Sequence, residues 1–206
     1  MRIRILAGVA ALLMCTLPAV AGEPTERSGL HRRGDTPYTL VGPAAGVGDK
    51  APEITARLPK TGEVVTVDPA DGRIRLLYVL PSIDTGTCSL STRQFNTRAA
   101  DLSERVEVVV VSRDLPAAWN RACETHGIDQ VKPLSDYESG AFGKTWGLYI
   151  KETGLLARSV HVIDQTGVIR YQEIVANQPD EPNYRAALDA IAAILAKTKP
   201  EKKKPE

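Results

Sequence analysis

Cys88 closes the stretch Pro81-Ser82-Ile83-Asp84-Thr85-Gly86-Thr87-Cys88, and a thiol at this place is the first chemistry the sequence offers. Before it runs Ile74-Arg75-Leu76-Leu77-Tyr78-Val79-Leu80, whose branched and aromatic content fits a buried strand. After it, Ser89-Leu90-Ser91-Thr92-Arg93-Gln94-Phe95-Asn96 spaces apolar residues as a helix does. The order is strand, loop, cysteine, helix. A cysteine in the first turn of a helix faces unpaired backbone N–H groups and the positive end of the macrodipole, and both favour thiolate over thiol. A lone cysteine is also commonly a small apolar residue buried at a strand end. On its own, the stretch favours core packing over a reactive sulfur.

The elements that would hold Cys88 follow in order. Val106 to Val111, five valines and one glutamate, reads as a second buried strand, so strand 74–80, the helix and this strand make a right-handed parallel crossover. Ala117 to Thr125 reads as a helix ending near Gly127, with Cys123 in its last turns. Val131 to Leu134 is expected as an edge strand because of Pro133. Ser139 to Thr145 suggests a short helix. Leu155 to Ile163 and Val168 to Val175, joined by Asp164-Gln165-Thr166-Gly167, signal a hairpin. A closing helix starts near Pro182 and puts Tyr184, Ala187, Leu188, Ile191 and Ile194 on one face. Tyr38 to Val41 and Glu63 to Val67 are short strand-like runs nearer the N-terminus. The pattern is α/β.

The chain has 206 residues, 26 basic and 25 acidic, and a formal charge of +1, which provides no electrostatic case for nucleic acid or a membrane surface. Residues 1–21 combine Arg2 and Arg4, an apolar run from Ile5 to Leu17 and Ala19-Val20-Ala21, the three parts of a secretory signal peptide. Leu12-Leu13-Met14-Cys15 partly suggests a lipoprotein signal, but Met14 is bulky for one. The run is short for a membrane span. Removal of Cys15 with the leader leaves Cys88 and Cys123 in a compartment that permits disulfides, and a periplasmic location is the expectation. Residues 22–35 read as a disordered arm, in which His31 has no evident role, and 198–206 as a disordered charged tail. One domain, 36–197, lies between.

Pro81, Thr85 and Cys88 form Pro-x-x-x-Thr-x-x-Cys, which resembles the active-site signature of the peroxiredoxins. Pro-Ser-Ile-Asp-Thr-x-x-Cys with Thr92-Arg93-Gln94-Phe95-Asn96 is similar to the thiol peroxidase branch, the atypical two-cysteine type. Val47-Gly48-Asp49-Lys50-Ala51-Pro52, Leu134-Ser135-Asp136-Tyr137 and Trp146-Gly147 have counterparts there, so the likeness spans about residues 36–196. It implies a thioredoxin-like fold, a central mixed sheet flanked by helices with an N-terminal β-hairpin extension. It also implies a thiol-dependent peroxidase. Cys88 would attack hydrogen peroxide or an alkyl hydroperoxide and become a sulfenic acid. Thr85 would turn its hydroxyl toward sulfur and peroxide, Pro81 would shield the pocket, and Arg158, in Gly154-Leu155-Leu156-Ala157-Arg158-Ser159-Val160, would favour the thiolate. Cys123 would be the resolving cysteine, closing an intramolecular disulfide once the helices unwind locally. A thioredoxin-like donor would reopen it. Gly86-Thr87 replaces the Pro-Val common in the family, which makes a more mobile loop the expectation.

Two other functions compete. A thiol–disulfide oxidoreductase on the same fold would carry Cys-x-x-Cys, and Ser91 stands at the second position. A non-catalytic module with a structural disulfide, or a copper carrier, would want paired Cys or a Cys/His cluster. His126 and His161 show no ligand spacing, and neither a metal nor a cofactor is called for. A homodimer is compatible with the family resemblance, although no residue pattern marks its interface.

Overall fold

The computed structural model describes residues 25–198, so the expected leader and all of the expected tail except Thr198 lie outside the described residues. Strand β5 (Ile74–Val79) is the axis of a seven-stranded mixed sheet. It pairs in parallel with β6 (Val106–Ser112) and antiparallel with β9 (Ser159–Ile163), and β9 pairs with β10 (Ile169–Ile174) to end that side of the sheet. On the other side come β7 (Lys132–Ser135), β3 (Ile54–Arg57) and β4 (Val64–Val67).

All six residues of β5 are buried, which explains a run with no polar alternation: both faces are covered. Leu76, Tyr78 and Leu80 pack with Phe95 of α1 (Gly86–Ala99), Trp119 of α2 (Pro116–His126) and Ile191 of α4 (Tyr184–Lys197). Leu77 and Val79 face the opposite layer, with Leu40 of β2 (Thr36–Val41), Phe142 of α3 (Ala141–Thr145) and Trp146. Truncating such an aromatic to alanine costs about 3–5 kcal/mol. Glu107, the charge among the valines of β6, sits opposite Arg75, whose Nε donates to it at 3.1 Å.

Two expectations need correction. Val131 to Leu134 does not form an edge: β7 lies between β6 and β3. Proline is accommodated because β3 reaches β7 only at Arg57–Ser135, so no partner on that side asks Pro133 for an N–H. The expected arm is also largely ordered. Residues 26–33 form β1 (Glu26–Arg33), a hairpin strand on β2 whose turn uses Gly34 at φ 59°. Its polar sequence concealed it because backbone bonds hold it to the domain. Arg32 N donates to Ala176 O at 2.9 Å, and Gln178 N donates to Arg32 O at 2.8 Å. Its one buried side chain is His31, whose Nδ1 bonds Val175 O at 2.7 Å.

The helices end where local chemistry ends them. Pro116 opens α2 at a position where no N–H is needed, and Gly127 closes it in the left-handed region at φ 60°. Asn183 caps α4 by accepting from Ala186 N at 3.0 Å. No helix among the described residues is long and apolar enough to cross a membrane.

Candidate active site

Strand β5 delivers the chain to Leu80, and Pro81 to Thr85 turn it into α1 at the sheet's end. Asp114 clamps this turn from the end of β6. Its carboxylate accepts from Ser82 Oγ at 2.7 Å, Ile83 N at 2.7 Å and Ser112 Oγ at 2.6 Å. Cys88 is then the third residue of α1 and fully buried. The inward face of α1 is Cys88, Ser91, Thr92 and Phe95, spaced at one helical stripe, so a single large ring anchors a face otherwise made of small polar groups and sulfur. Phe95 holds it by packing on Tyr78 at 4.9 Å and Tyr184 at 5.1 Å between ring centroids.

Arg158, the residue before β9, is brought to Cys88: Nη2 donates to Sγ at 3.2 Å. The guanidinium is only 2% exposed and is held from two directions. Nη1 donates to Tyr78 Oη at 2.7 Å, while Nε and Nη2 donate to the Gln178 carbonyl at 3.2 and 3.0 Å. A guanidinium has five N–H donors, and these bonds use four, leaving one on Nη1. Burial works against the charge of Arg158, but Tyr78 and Cys88 around it outweigh that cost and raise its pKa. Burial pushes the Tyr78 hydroxyl strongly upward, so it stays protonated.

The other expected residues divide. Pro81 is buried behind the turn. Thr85 is exposed, and its hydroxyl donates to Ser82 O at 3.0 Å rather than to sulfur. Gly86 and Thr87, expected in a mobile loop, are the first two residues of α1, and Thr87 Oγ1 donates to Pro179 O at 3.1 Å. Cys123 is half-buried in α2, and its carbonyl accepts from the N–H groups of Gly127 and Ile128 at the helix end. Both cysteines are free thiols. Burial, with Glu124 beside it, raises the Cys123 pKa. Asp84 and Arg121, 3.5 Å apart, bridge the turn before α1 to α2.

Sequence reasoning passed over Tyr78, Gln178 and Asp114 as site residues. Tyr78 had a signal: a hydroxyl on a strand buried on both faces must find a partner inside. Among the described residues no group of three His, Cys, Asp or Glu could hold a metal ion. His161 is buried with Nε2 bonded to Ser159 Oγ at 3.0 Å and its ring edge-on to Trp146, a packing role.

A buried cysteine in the first turn of a helix on a thioredoxin-like sheet, held by a buried arginine, defines a thiol-based redox protein. Residues 46–188 match the Redoxin family. The chain is 46% identical over 159 residues to the thiol peroxidase of Halalkalibacterium halodurans, covering 77% of this chain and 95% of that one. It is 43% identical over 159 residues to the thiol peroxidase of Bacillus subtilis, covering 77% and 94%. A peroxiredoxin-like protein from Aquifex aeolicus superposes with a TM-score of 0.75 at 33% identity, over 84% of this chain and 99% of that one. A thiol peroxidase from Chromobacterium violaceum shares the fold, with a TM-score of 0.71 at 21% identity over 82% and 98%. The chain belongs to the Redoxin family.

Proposed function

We propose that this protein is a thiol-dependent peroxidase in which Cys88 is the peroxidatic cysteine and Cys123 the resolving one. The observation that carries the reading is the 3.2 Å bond from buried Arg158 to Cys88 Sγ. A guanidinium fixed by Tyr78 and Gln178 is a preorganised donor to sulfur anion, and reorganisation during reaction is small because its other bonds are already made.

The Cys88 thiolate attacks the terminal oxygen of a hydroperoxide. The O–O bond breaks, sulfur takes the oxygen as sulfenic acid, and the departing oxygen takes a proton as water or alcohol. One Nη1 hydrogen of Arg158 is left over from these bonds and would be the donor to a peroxide oxygen. Pro81 closes the back of the turn. Thr85 holds the turn through Ser82 O and lines the opening beside Arg158.

The Cys123 thiolate then attacks the sulfenic sulfur, expelling hydroxide and closing a disulfide. A disulfide requires Cα atoms within roughly 7 Å, so the end of α2 opens: Cys123 lies in its last turn, next to the Gly127 stop. A dithiol donor of the thioredoxin kind reduces the disulfide. Export to the periplasm is supported by the three-part leader at residues 1–21, and the N-terminal mass of the mature protein tests it. A homodimer is tested by sedimentation.

Peroxide consumption with a thioredoxin or dithiothreitol as donor tests the reading. The parent protein should turn over, Cys88→Ser should lose all activity, and Cys123→Ser should lose turnover with thioredoxin. Activity surviving in Cys88→Ser would refute the assignment.

A further inference from the structure

Arg158, which donates to the buried sulfur, lines a surface cavity of about 210 Å³, and a second arginine, Arg33, lines it too. Arg33 is the last residue of β1, the strand that the polar sequence had concealed. Its backbone is held over the cavity from both sides. Arg32 exchanges backbone bonds with Ala176 and Gln178, and Gly34 N donates to Asn177 Oδ1 at 3.1 Å. The same segment carries the Gln178 carbonyl that holds Arg158, so the two arginines share one scaffold.

The charge at this opening is one-sided. The wall contains Arg33, Arg158, Thr85, Thr87 and Gln178, and no carboxylate. Of the acidic residues close by in sequence, Asp84 pairs with Arg121 and Asp180 with Asn177 Nδ2 at 3.0 Å, while Asp35, two residues after Arg33, does not line the opening. Among the described residues no carboxylate is paired with Arg33, and the first turn of α1 has no acidic residue. Arg158 is already committed to sulfur, Tyr78 and Gln178. Arg33 is exposed, so its head group is free to meet a solute.

Hydrogen peroxide is neutral and has no anionic group for a second guanidinium to pair with. A charged fork at the mouth fits a substrate with an anion a few atoms from its O–O bond, and a planar carboxylate matches guanidinium geometry. The cavity holds roughly seven waters' worth of liquid volume at about 30 Å³ each, enough for a short chain. We infer that Arg33 is a specificity residue that binds the carboxylate of short organic hydroperoxides while Cys88 reduces the peroxide end. The inference rests on the peroxidase reading. The chemistry at sulfur is unchanged: the thiolate takes the terminal oxygen, the O–O bond breaks, the alcohol leaves with a proton, and the carboxylate passes through unaltered.

The test measures second-order oxidation of reduced full-length protein by stopped-flow. Three oxidants are compared: hydrogen peroxide, a short tertiary hydroperoxide ending in a carboxylate, and the methyl ester of that hydroperoxide. An exposed charge pair is modest, so the parent should prefer the carboxylate over the ester by roughly threefold to fivefold at low salt, fading as salt rises. Arg33→Gln should abolish that preference, Arg33→Glu should reverse it, and Arg33→Lys should retain part of it. Hydrogen peroxide and the ester should react as before in all three variants. An unchanged carboxylate preference in Arg33→Gln would overturn the inference. So would a uniform loss on every oxidant, which would make Arg33 a prop for the hairpin. If the parent reduced none of the oxidants, the peroxidase reading itself would fall.

Discussion

Tyr78 accepts a 2.7 Å hydrogen bond from Arg158 Nη1, and both residues are buried. The tyrosine is therefore a positioning residue, acting on sulfur through the guanidinium. Tyr78→Phe keeps the ring packing on Phe95 and deletes only the acceptor, leaving a buried charged donor unmatched. Hydrogen bonds to charged groups contribute about 1.5–3 kcal/mol. The expected result is a fall of roughly tenfold or more in the rate of Cys88 oxidation. The rate of disulfide closure in already oxidised protein should be nearly unchanged. A purely structural role would depress both steps together.

The resolving step should depend on pH in a way set by Cys123. Burial, and then the Glu124 carboxylate, raise its pKa, so less of it is thiolate at neutral pH than of a free cysteine. Disulfide closure after a peroxide pulse should accelerate as pH rises above the ordinary cysteine range. Replacing Glu124 with Gln removes the anionic contribution and leaves burial, so the profile should move to lower pH. Rapid-quench mass measurement follows this step separately. A profile indifferent to Glu124→Gln would contradict the assignment of Cys123.

Gly86 is a tolerant position in the first turn of α1. Its φ is not positive, and an added Cβ would meet nothing within 4 Å. Gly86→Ala should stabilise the protein by about 0.4–1 kcal/mol, chiefly by restricting the unfolded chain. Chemical denaturation measures it, and peroxide reduction should be retained.

Stability should fall in acid through His161. Complete burial pushes its pKa down to about 3 from an ordinary 6.5. Between those values the unfolded chain binds a proton that the folded protein excludes. The stabilisation from neutral His161 is therefore complete above about pH 6.5 and lost as pH falls toward 3, at about 1.4 kcal/mol per unit. Denaturant midpoints at pH 7 and pH 5 check the sign.

Much of this site was legible because local sequence fixes it. Pro81, Thr85 and Cys88 lie within one turn-and-helix unit, and the apolar runs of β5 and β6 announce strands buried on both faces. What escaped depends on contacts far apart in the chain. The Arg158–Tyr78 and Arg158–Gln178 bonds are settled by how β9, β5 and the segment after β10 meet. β1 carries almost no buried apolar surface, so periodicity cannot reveal a strand held by backbone bonds to residues 176–178. Thr85 was expected to face sulfur, yet the turn gives its hydroxyl a nearer acceptor in Ser82.

The most direct test of the central claim is mass spectrometry of reduced Cys123→Ser protein after one equivalent of hydrogen peroxide, with a sulfenic acid trap present. The account predicts rapid addition of a single trap molecule at Cys88, and slowing of that addition by about two orders of magnitude when Arg158 is also replaced by alanine. Oxidation of Cys88 at the rate of a free thiol, with or without Arg158, would contradict it.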